Sequence, residues 1–367
     1  MKPFCQPLLD VLIAPEKMAD LPMATWDILL RQARQAGLLS RLAVLTEAYG
    51  LTPSLPTAVH RHFSGAATAA ARQRQAVAWE ARKLDQALSA EGIQAVLLKG
   101  AAYVMADLPP AQGRLFADID ILVPKAALAR TESTLMLHGW ISSHHSAYDQ
   151  RYYRRWMHEL PPMTHIRRKS QLDVHHNLLP ETARLRTYPE RVIAASQLLP
   201  GFQSLCVPSL EDLVLHSASH LFHEGEWGHG LRDLVDLDAL LRHGMSRPDW
   251  WDRLSGRGVE LSLAGPLGLA LRYGAKLLHT PVPGELLAAT APPAWTGFGL
   301  VQDAIFLRGF ASAHPSCRRT GNGLAAFVLY VRAHALRMPL YLLLPHLAHK
   351  AWRGFFPEPE KTSKQLK

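Results

Sequence analysis

Two aspartates stand in an otherwise apolar segment of the sequence. Asp118 and Asp120 belong to the run ADIDILV, residues 117–123, whose other members are all apolar. Such a run is typical of a buried strand, where an unpaired carboxylate is costly. Residues two apart on a strand point to the same face, so both carboxylates reach one site. A hard cation between them relieves their repulsion. The pair therefore predicts a Mg²⁺ or Mn²⁺ site completed by a substrate's phosphates.

A third acid stands in a similar setting. Asp173 lies in QLDVHH, flanked by Leu172 and Val174. A site that holds two metal ions about 3.5–4 Å apart needs a further carboxylate, and Asp173 is the best candidate for that role. The alternative is that Asp173 simply pairs with the basic run RRK at residues 167–169.

Candidate phosphate-binding residues surround the first strand. Lys99 and Gly100 follow the apolar run IQAVLL, residues 93–98, and precede a segment that predicts a helix. At a strand-to-helix junction, free backbone N–H groups and the helix dipole attract phosphate, and glycine permits a close approach. Arg114 precedes the aspartates and can contact phosphate with both guanidinium N–H groups. Together these residues predict a site for a triphosphate and metal, although Lys99 is equally consistent with a surface lysine.

The elements that must position these residues follow from periodicity. Helical spacing dominates from about residue 24 to 90, and Gly92 is placed to end the last helix. A polar turn between two alternating runs in residues 163–178 predicts a hairpin. From residue 209 onward only helical patterns occur. The strands predicted before the hairpin are residues 93–98, 117–123 and 140–143, with a helix over 125–138.

The order of these motifs is similar to that of a known family. A strand ending in Lys-Gly is followed by RLFADIDILV at residues 114–123, by a helix ending in His-Gly-Trp, and by LDVHH at residues 172–176. This pattern resembles the uncharacterised bacterial nucleotidyltransferases, a branch of the DNA polymerase beta-like superfamily. The resemblance is specific over about residues 92–178 and weaker in the flanking helices.

The resemblance implies metal-dependent transfer of a nucleoside monophosphate from an NTP to an acceptor. It implies that Asp118 and Asp120 are metal ligands and that Asp173 is the third carboxylate. In the wider superfamily a serine usually follows the glycine of the first turn, whereas Ala101 follows Gly100 in this chain. A hydroxyl contact to phosphate is therefore missing, and we expect the charge of Lys99 to substitute for it.

The expected fold class is α+β, with a nucleotidyltransferase-type mixed sheet core flanked by N-terminal and C-terminal helical regions. We expect a helical region at 1–91, the core at 92–200, a helical domain at 201–355 and a polar tail at 356–367. At 367 residues the chain is long enough for more than one packed unit.

The histidines of the C-terminal region suggest a second metal site less strongly. His216, His220 and His223 recur at helical spacing, which can suit zinc. Because no HExxH is present and the helix is rich in leucine, core or cleft histidines are the preferred interpretation. In that interpretation the acceptor cleft is walled by His216, His220, Arg232 and Asp233. One of the neighbouring residues His175 and His176 is expected to face the same cleft.

Composition favours a folded protein with an anionic partner. Apolar residues make up 48% of the chain and charged residues 19%, and the net charge is +9. The aromatic and basic segment at residues 146–160 can grip nucleic acid, but an amphipathic helix is the preferred interpretation. Residues 323–352 are apolar but interrupted by Arg332, Arg337 and Pro339. They predict helices joined at proline rather than a membrane span, with peripheral membrane contact as the alternative.

The three cysteines bear on location. Cys5, Cys206 and Cys317 lie far apart without a CxxC spacing, which argues against a disulfide framework and against a cysteine zinc site. The N-terminal segment is a poor signal peptide, because Pro15, Glu16 and Lys17 interrupt its apolar run. A reducing cytoplasm is therefore the expected location.

The expected activity is transfer of a nucleoside monophosphate from an NTP, with ATP as the expected donor, to a hydroxyl or similar acceptor on a small molecule or peptide. Kinase-like phosphoryl transfer from the same site is the nearest enzymatic alternative. A non-catalytic module that binds RNA or a membrane through its basic surface is the alternative from another class.

Overall fold

The computed structural model describes residues 5–142, 150, 153, 154, 156–224, 227–290, 298–311, 313–339, 341 and 343. Several expectations fall outside this part of the chain. They are the end of the third predicted strand at residue 143, much of the aromatic and basic segment 146–160, the stretch beyond residue 343, and the polar tail.

The N-terminal part is helical, as predicted. Its helices are α1 (Gln6–Ile13), α2 (Met23–Gln35), α3 (Leu39–Ala48) and α4 (Thr57–Ser89). α4 is 33 residues long, and its buried residues Val77, Ala81, Leu84 and Leu88 recur at the three- or four-residue spacing of one helix face. Gly92 follows the helix with a φ of +61°, a left-handed conformation that glycine adopts without strain.

The middle of the chain forms one seven-stranded mixed sheet, which confirms the expected α+β fold. The strands are β1 (Ala95–Leu98), β2 (Ile119–Leu122), β3 (Trp140–Ser142), β4 (Met163–His165), β5 (Gln171–His175), β6 (Gln197–Leu198) and β7 (Leu205–Val207). Their order across the sheet is β3-β4-β5-β2-β1-β7-β6. β2 lies between β1, to which it is antiparallel, and β5, to which it is parallel.

Three helices accompany the strands of this sheet. They are α5 (Lys99–Met105), α6 (Leu128–Leu137) and α7 (Pro189–Ala195). α5 begins immediately after β1, so the strand-to-helix junction predicted at Lys99 is present. The hairpin predicted over residues 163–178 is also present, because β4 and β5 pair in antiparallel fashion.

A buried carboxylate of α4 holds the last part of the sheet. Asp85 accepts hydrogen bonds from the backbone N–H groups of Gln203, Ser204 and Leu205, at 2.7–3.1 Å from Oδ1. This contact positions the start of β7, which pairs in parallel with β1. The sheet thus extends past residue 200, where the core was expected to end, while the division into domains stays a prediction.

The C-terminal part is helical. Its helices are α8 (Leu210–Ser219), α9 (Gly230–Gly244), α10 (Trp250–Glu260), α11 (Ala264–Leu278), α12 (Gly284–Ala289), α13 (Phe298–Gly309) and α14 (Asn322–Arg337). Ser209 caps α8, since its hydroxyl accepts a hydrogen bond from the backbone N–H of Asp212. Within the described residues, no helix is both long enough and apolar enough to cross a membrane.

The cysteine argument requires a correction. Cys5 and Cys317 form a disulfide across 312 residues of sequence, and Cys206 is a buried free cysteine. The sequence argument missed the bridge because it considered local spacing, whereas the bridge joins the two ends of the fold. Packing of distant elements, rather than any sequence motif, brings the two thiols together.

Candidate active site

Strand register places the second and third aspartates side by side. Asp120 on β2 is paired with Asp173 on the parallel strand β5. Residues paired in this way point to the same face of a sheet. On the other side of β2, Leu98 of β1 is the partner of Asp120. Lys99, the residue after Leu98, therefore lies beside the aspartates at the end of β1.

Asp118 precedes β2 by one residue and keeps more of its surface in solvent than Asp120 does. Its surroundings nevertheless raise the pKa of Asp118, first through partial desolvation and then through the charge of Asp120. The negative charge of Asp120 therefore acts on the carboxyl of Asp118, as expected for two acids two residues apart.

Asp120 is the buried and ionised member of the group, with 4% of its surface exposed. Its Oδ1 accepts a hydrogen bond from Lys99 Nζ at 3.1 Å and lies 3.1 Å from His175 Nε2. Burial alone raises the pKa of a carboxyl, but Lys99 and His175 together hold the pKa of Asp120 well below its usual value. Asp120 is therefore a carboxylate at every physiological pH.

Asp173 is the contrasting member. Burial raises the pKa of Asp173 to about 7, and the negative charges of Asp120 and Glu159 add to this effect. Burial is the larger cause of this shift, and the neighbouring carboxylates are the smaller one. Carboxylate oxygens are the ligands that hard divalent cations prefer.

Lys99 reaches Asp120 from an unusual backbone conformation. Its φ is +42°, in the left-handed region that residues other than glycine rarely adopt. Such conformations cost of the order of 1–3 kcal/mol and cluster at functional sites. The strain at Lys99 accompanies an abrupt change of direction from β1 into α5, which leaves its ammonium group at the carboxylates.

Gly100 is tightly packed. A Cβ atom added to Gly100 would lie 2.5 Å from Cδ1 and 2.9 Å from Cε1 of Phe116. The backbone N–H of Phe116 donates to Gln73 Oε1 of α4 at 2.7 Å, which helps to hold that residue. The glycine therefore permits close packing of Phe116, and its predicted role in phosphate binding stays a prediction.

Arg114 is committed to partners on α9. Its guanidinium contacts Asp236 and lies 3.9 Å from Asp233, and its side chain is 13% exposed. Burial lowers the pKa of Arg114. Arg114 lines the same small cavity as Lys99, but phosphate would have to compete with Asp236 for its guanidinium.

The predicted histidine and charged residues of the C-terminal region lie at the same place. A cavity of about 40 Å³ separates α5 from α8 and α9, and it is lined by Lys99, Tyr103, Arg114, Ser217, His220, Arg232, Asp233 and Asp236. His216 is buried nearby, where burial and the charges of Lys99 and His220 hold its pKa well below the usual value. His216 is therefore neutral.

A larger cleft of about 410 Å³ opens beside Asp118, between α4 and the turn that joins β4 to β5. Arg168 of this turn forms two hydrogen bonds with Glu80 of α4, at 2.7 and 2.9 Å, and lies over the ring of Trp79. Trp79 is 47% exposed and lines the cleft. The cleft is thus polar and aromatic, next to an exposed candidate metal ligand.

Two residues near the aspartates were missed by the sequence analysis. Glu159 Oε2 lies 3.4 Å from His175 Nδ1, and the ring of His158 lies 5.1 Å from that of His175. His158 and Glu159 belong to the segment that was interpreted as an amphipathic helix, where they carry no metal-binding spacing. Of the two adjacent histidines considered for the cleft, His175 is the one that contacts Asp120.

Candidate metal ligands in the described part of the chain form one group of three, made of His158, Glu159 and His175. The predicted ligands Asp118, Asp120 and Asp173 do not form such a group among these residues, and neither do His216, His220 and His223.

Comparison with known proteins supports the family resemblance. Residues 22–279, which include every site residue named above, match the sequence model of a family described as uncharacterised nucleotidyltransferase. Neither the curated proteins nor the solved structures searched gave a match. Because the family match covers more than half of the chain and includes the paired aspartates, the protein belongs to the family of uncharacterised nucleotidyltransferases.

Proposed function

We propose that the protein is a metal-dependent nucleotidyltransferase that moves a nucleoside monophosphate from an NTP to an acceptor hydroxyl. ATP is the proposed donor, and the acceptor is proposed to be a small molecule or peptide. We also infer that the family is the bacterial branch of the DNA polymerase beta-like superfamily that the sequence resembles. The pairing of Asp120 with Asp173 in adjacent parallel strands is the observation that carries the proposal.

The donor set fits a hard divalent cation. The three aspartates present carboxylate oxygens, which Mg²⁺ and Mn²⁺ prefer, and the negative charges of Asp120 and Glu159 add to burial in raising the pKa of Asp173. Asp118, Asp120 and Asp173 would hold the cation. When bound, such a cation neutralises phosphate charge and lowers the pKa of a coordinated oxygen.

The chain's own residues supply positioning and charge. Lys99 orients the Asp120 carboxylate and brings a positive charge to the place where phosphate would bind. In the proposed reaction the acceptor oxygen forms a bond to the α-phosphorus, and the bond from that phosphorus to the pyrophosphate oxygen breaks. The hydroxyl proton would pass to solvent water, because the cation would lower the pKa of the acceptor oxygen and Asp173 would be engaged in holding the cation.

Nucleotide binding provides the first test. Mg²⁺-dependent binding of a non-hydrolysable ATP analogue is expected for the full chain and is expected to be lost in the double variant Asp118→Ala, Asp120→Ala. Asp20→Ala, Asp27→Ala is a matched control, because both acids lie on the surface, far along the chain from the sheet. Salt-sensitive RNA binding that survives in the first variant, without any ATP binding, would instead identify a binding module.

The reaction itself is tested by following label and mass. With ATP labelled at the α-phosphorus, transfer of label to an acceptor and release of pyrophosphate are expected. Transfer of label from the γ-phosphorus alone would show phosphoryl transfer and contradict the proposal. Mass spectrometry of candidate small molecules and peptides incubated with mixed NTPs identifies the acceptor and the base preference through a nucleotide-sized gain.

The cytoplasm remains the proposed location. The Cys5–Cys317 bridge makes this proposal sharply testable, since a reducing compartment usually keeps thiols free. Alkylation of intact cells before lysis, followed by mass spectrometry of the two peptides, reports their redox state in place. Fractionation of the same cells with a compartment marker reports the location.

A further inference from the structure

A group of nitrogen and oxygen donors adjoins Asp120 through His175. His158, Glu159 and His175 bring one ligand atom each to within 4.8 Å of one another. The proposed nucleotidyl transfer uses neither His158 nor Glu159. His158 and His175 are 4% and 2% exposed. Polar side chains buried to this extent normally make specific polar contacts.

Backbone pairing assembles this group. Glu159 forms an isolated antiparallel bridge with His175 at the end of β5. The N–H of Leu160 donates to Val174 O at 2.8 Å, and the N–H of His176 donates to His158 O at 2.8 Å. The segment that contains His158 and Glu159 is therefore held against β5 by bonds on both sides of the bridge. Its side chains are placed before any ligand binds.

The two ring nitrogens of His175 have different surroundings. Nε2 lies 3.1 Å from Asp120 Oδ1, a distance suited to donating a hydrogen bond to that carboxylate. A neutral imidazole that donates from Nε2 has a lone pair on Nδ1. Nδ1 is buried and has no hydrogen-bond partner within the described residues, and it faces Glu159 Oε2 at 3.4 Å. Burial opposes the charged form of His175, but Asp120 and Glu159 raise its pKa overall, so in the metal-free protein a proton on Nδ1 faces Glu159. A cation that binds between Nδ1 and Glu159 displaces this proton and takes the lone pair.

We propose that His158, Glu159 and His175 bind a divalent cation of the zinc class, at a site separate from that of the three aspartates. Two imidazoles and one carboxylate suit Zn²⁺, whereas Mg²⁺ prefers oxygen donors throughout. Donor atoms around tetrahedral zinc lie roughly 3.4 Å apart, given bonds of about 2.0–2.2 Å. Binding draws the three donors together by roughly 1 Å, within the reach of side-chain rotation. The fourth position is open to water.

Asp120 is the hydrogen-bond partner of the other nitrogen of His175. A histidine that binds metal through one nitrogen commonly donates its other N–H to a carboxylate, which fixes the tautomer and the orientation of the ring. Asp120 occupies that position for His175. The bound cation therefore makes His175 a fixed hydrogen-bond donor and positions Asp120. The proposed cation site does not depend on the proposed transferase activity, because His158 and Glu159 take no part in that reaction.

Cobalt is the probe for this test. The full chain, freed of metal with a chelator, is titrated with Co²⁺ while visible absorption is recorded. One equivalent is expected to give the strong absorption of four- or five-coordinate Co²⁺, and Zn²⁺ is expected to displace it. Glu159→Gln and His158→Gln each remove one donor and are expected to weaken Co²⁺ binding at least 100-fold. Far-ultraviolet circular dichroism and urea midpoints show which variants remain folded.

Two controls separate this site from other binding. His60→Gln removes an exposed histidine of α4 and is expected to bind Co²⁺ like the unchanged protein. Asp118→Asn is expected to keep the Co²⁺ absorption while losing Mg²⁺-dependent ATP binding, so failure of the transferase proposal and failure of this one give different results. Two results would overturn the zinc-class site. One is weak absorption alone, typical of six-coordinate Co²⁺, and the other is unchanged Co²⁺ affinity in both donor variants when they are folded.

Discussion

Asp120 and Asp173 are 53 residues apart in sequence yet are direct partners in the parallel strands β2 and β5. They share a face of the sheet but differ in charge state. Asp120 is held ionised by Lys99 and His175, whereas the pKa of Asp173 is raised to about 7. Lys99 and His175 both contact Asp120, whereas at Asp173 burial and the charges of Asp120 and Glu159 outweigh the charge of His175. This asymmetry leads to opposite predictions for the two residues.

Asp120→Asn is expected to destabilise the protein. The change removes the negative charge between Lys99 and His175, both largely buried, and loses two hydrogen bonds to a charged group. Each such bond contributes about 1.5–3 kcal/mol, so the loss in free energy of unfolding is expected to be at least about 2 kcal/mol. Urea unfolding at pH 7 measures it. A midpoint equal to that of the unchanged protein would show that the Lys99–Asp120–His175 contacts contribute nothing.

The stability of the metal-free protein is expected to depend on pH through Asp173. Its pKa in the folded protein is about 7, above the usual 3.8. Between these values the folded state retains a proton that the unfolded state has lost. The contribution of Asp173 to stability is therefore present at acid pH and is lost as the pH rises to about 7.

Urea unfolding from pH 4 to 8 with chelator present measures this dependence. Asp173→Asn is expected to have a flatter profile and to exceed the unchanged protein in stability at pH 8, while losing transferase activity. The comparison between the two profiles isolates Asp173 from other titrating groups. Parallel profiles for the two proteins would contradict the raised pKa.

Gly100→Ala is expected to cost about 1–3 kcal/mol of stability, because the added methyl group meets the ring of Phe116. The second change Phe116→Ala should remove this extra cost in a double-mutant cycle. Gly65→Ala is the matched control. Gly65 lies inside α4 with no neighbour within 4 Å of an added Cβ, so that change should stabilise the protein by roughly 0.5–1 kcal/mol.

The same variants test phosphate binding at Gly100. If the glycine only accommodates Phe116, the double variant recovers ATP affinity together with packing. If phosphate approaches the backbone there, ATP affinity stays low in the double variant. Calorimetric titration with Mg²⁺ and an ATP analogue distinguishes the two results.

Reduction of the Cys5–Cys317 bridge is expected to lower the free energy of unfolding by about 2–4 kcal/mol, because the bridge restricts the unfolded chain. Urea unfolding with and without reductant measures the change. The variant Cys5→Ser, Cys317→Ser should match the reduced protein and should not respond to reductant. Three free thiols found in the folded protein before reduction would show that the bridge does not form.

Local patterns in the sequence determined a large part of this fold. The apolar run ADIDILV predicted β2, which the structure has at Ile119–Leu122, so Asp118 lies just before the strand and Asp120 within it. The apolar run before Lys99 predicted β1 and the junction with α5. Helical spacing predicted the long α4 and the helices of the C-terminal part. These features depend on residues close together in the chain, so periodicity alone reveals them.

Only the tertiary structure decided which distant residues meet. The register that joins Asp173 to Asp120, the contact of Arg114 with Asp236, and the cluster of His158, Glu159 and His175 all depend on pairing between segments far apart in the chain. Such pairing depends on how complete elements pack against one another, which no short run of residues specifies. The sequence therefore predicted the aspartates of the proposed active site, while packing determined their partners and created the group of His158, Glu159 and His175.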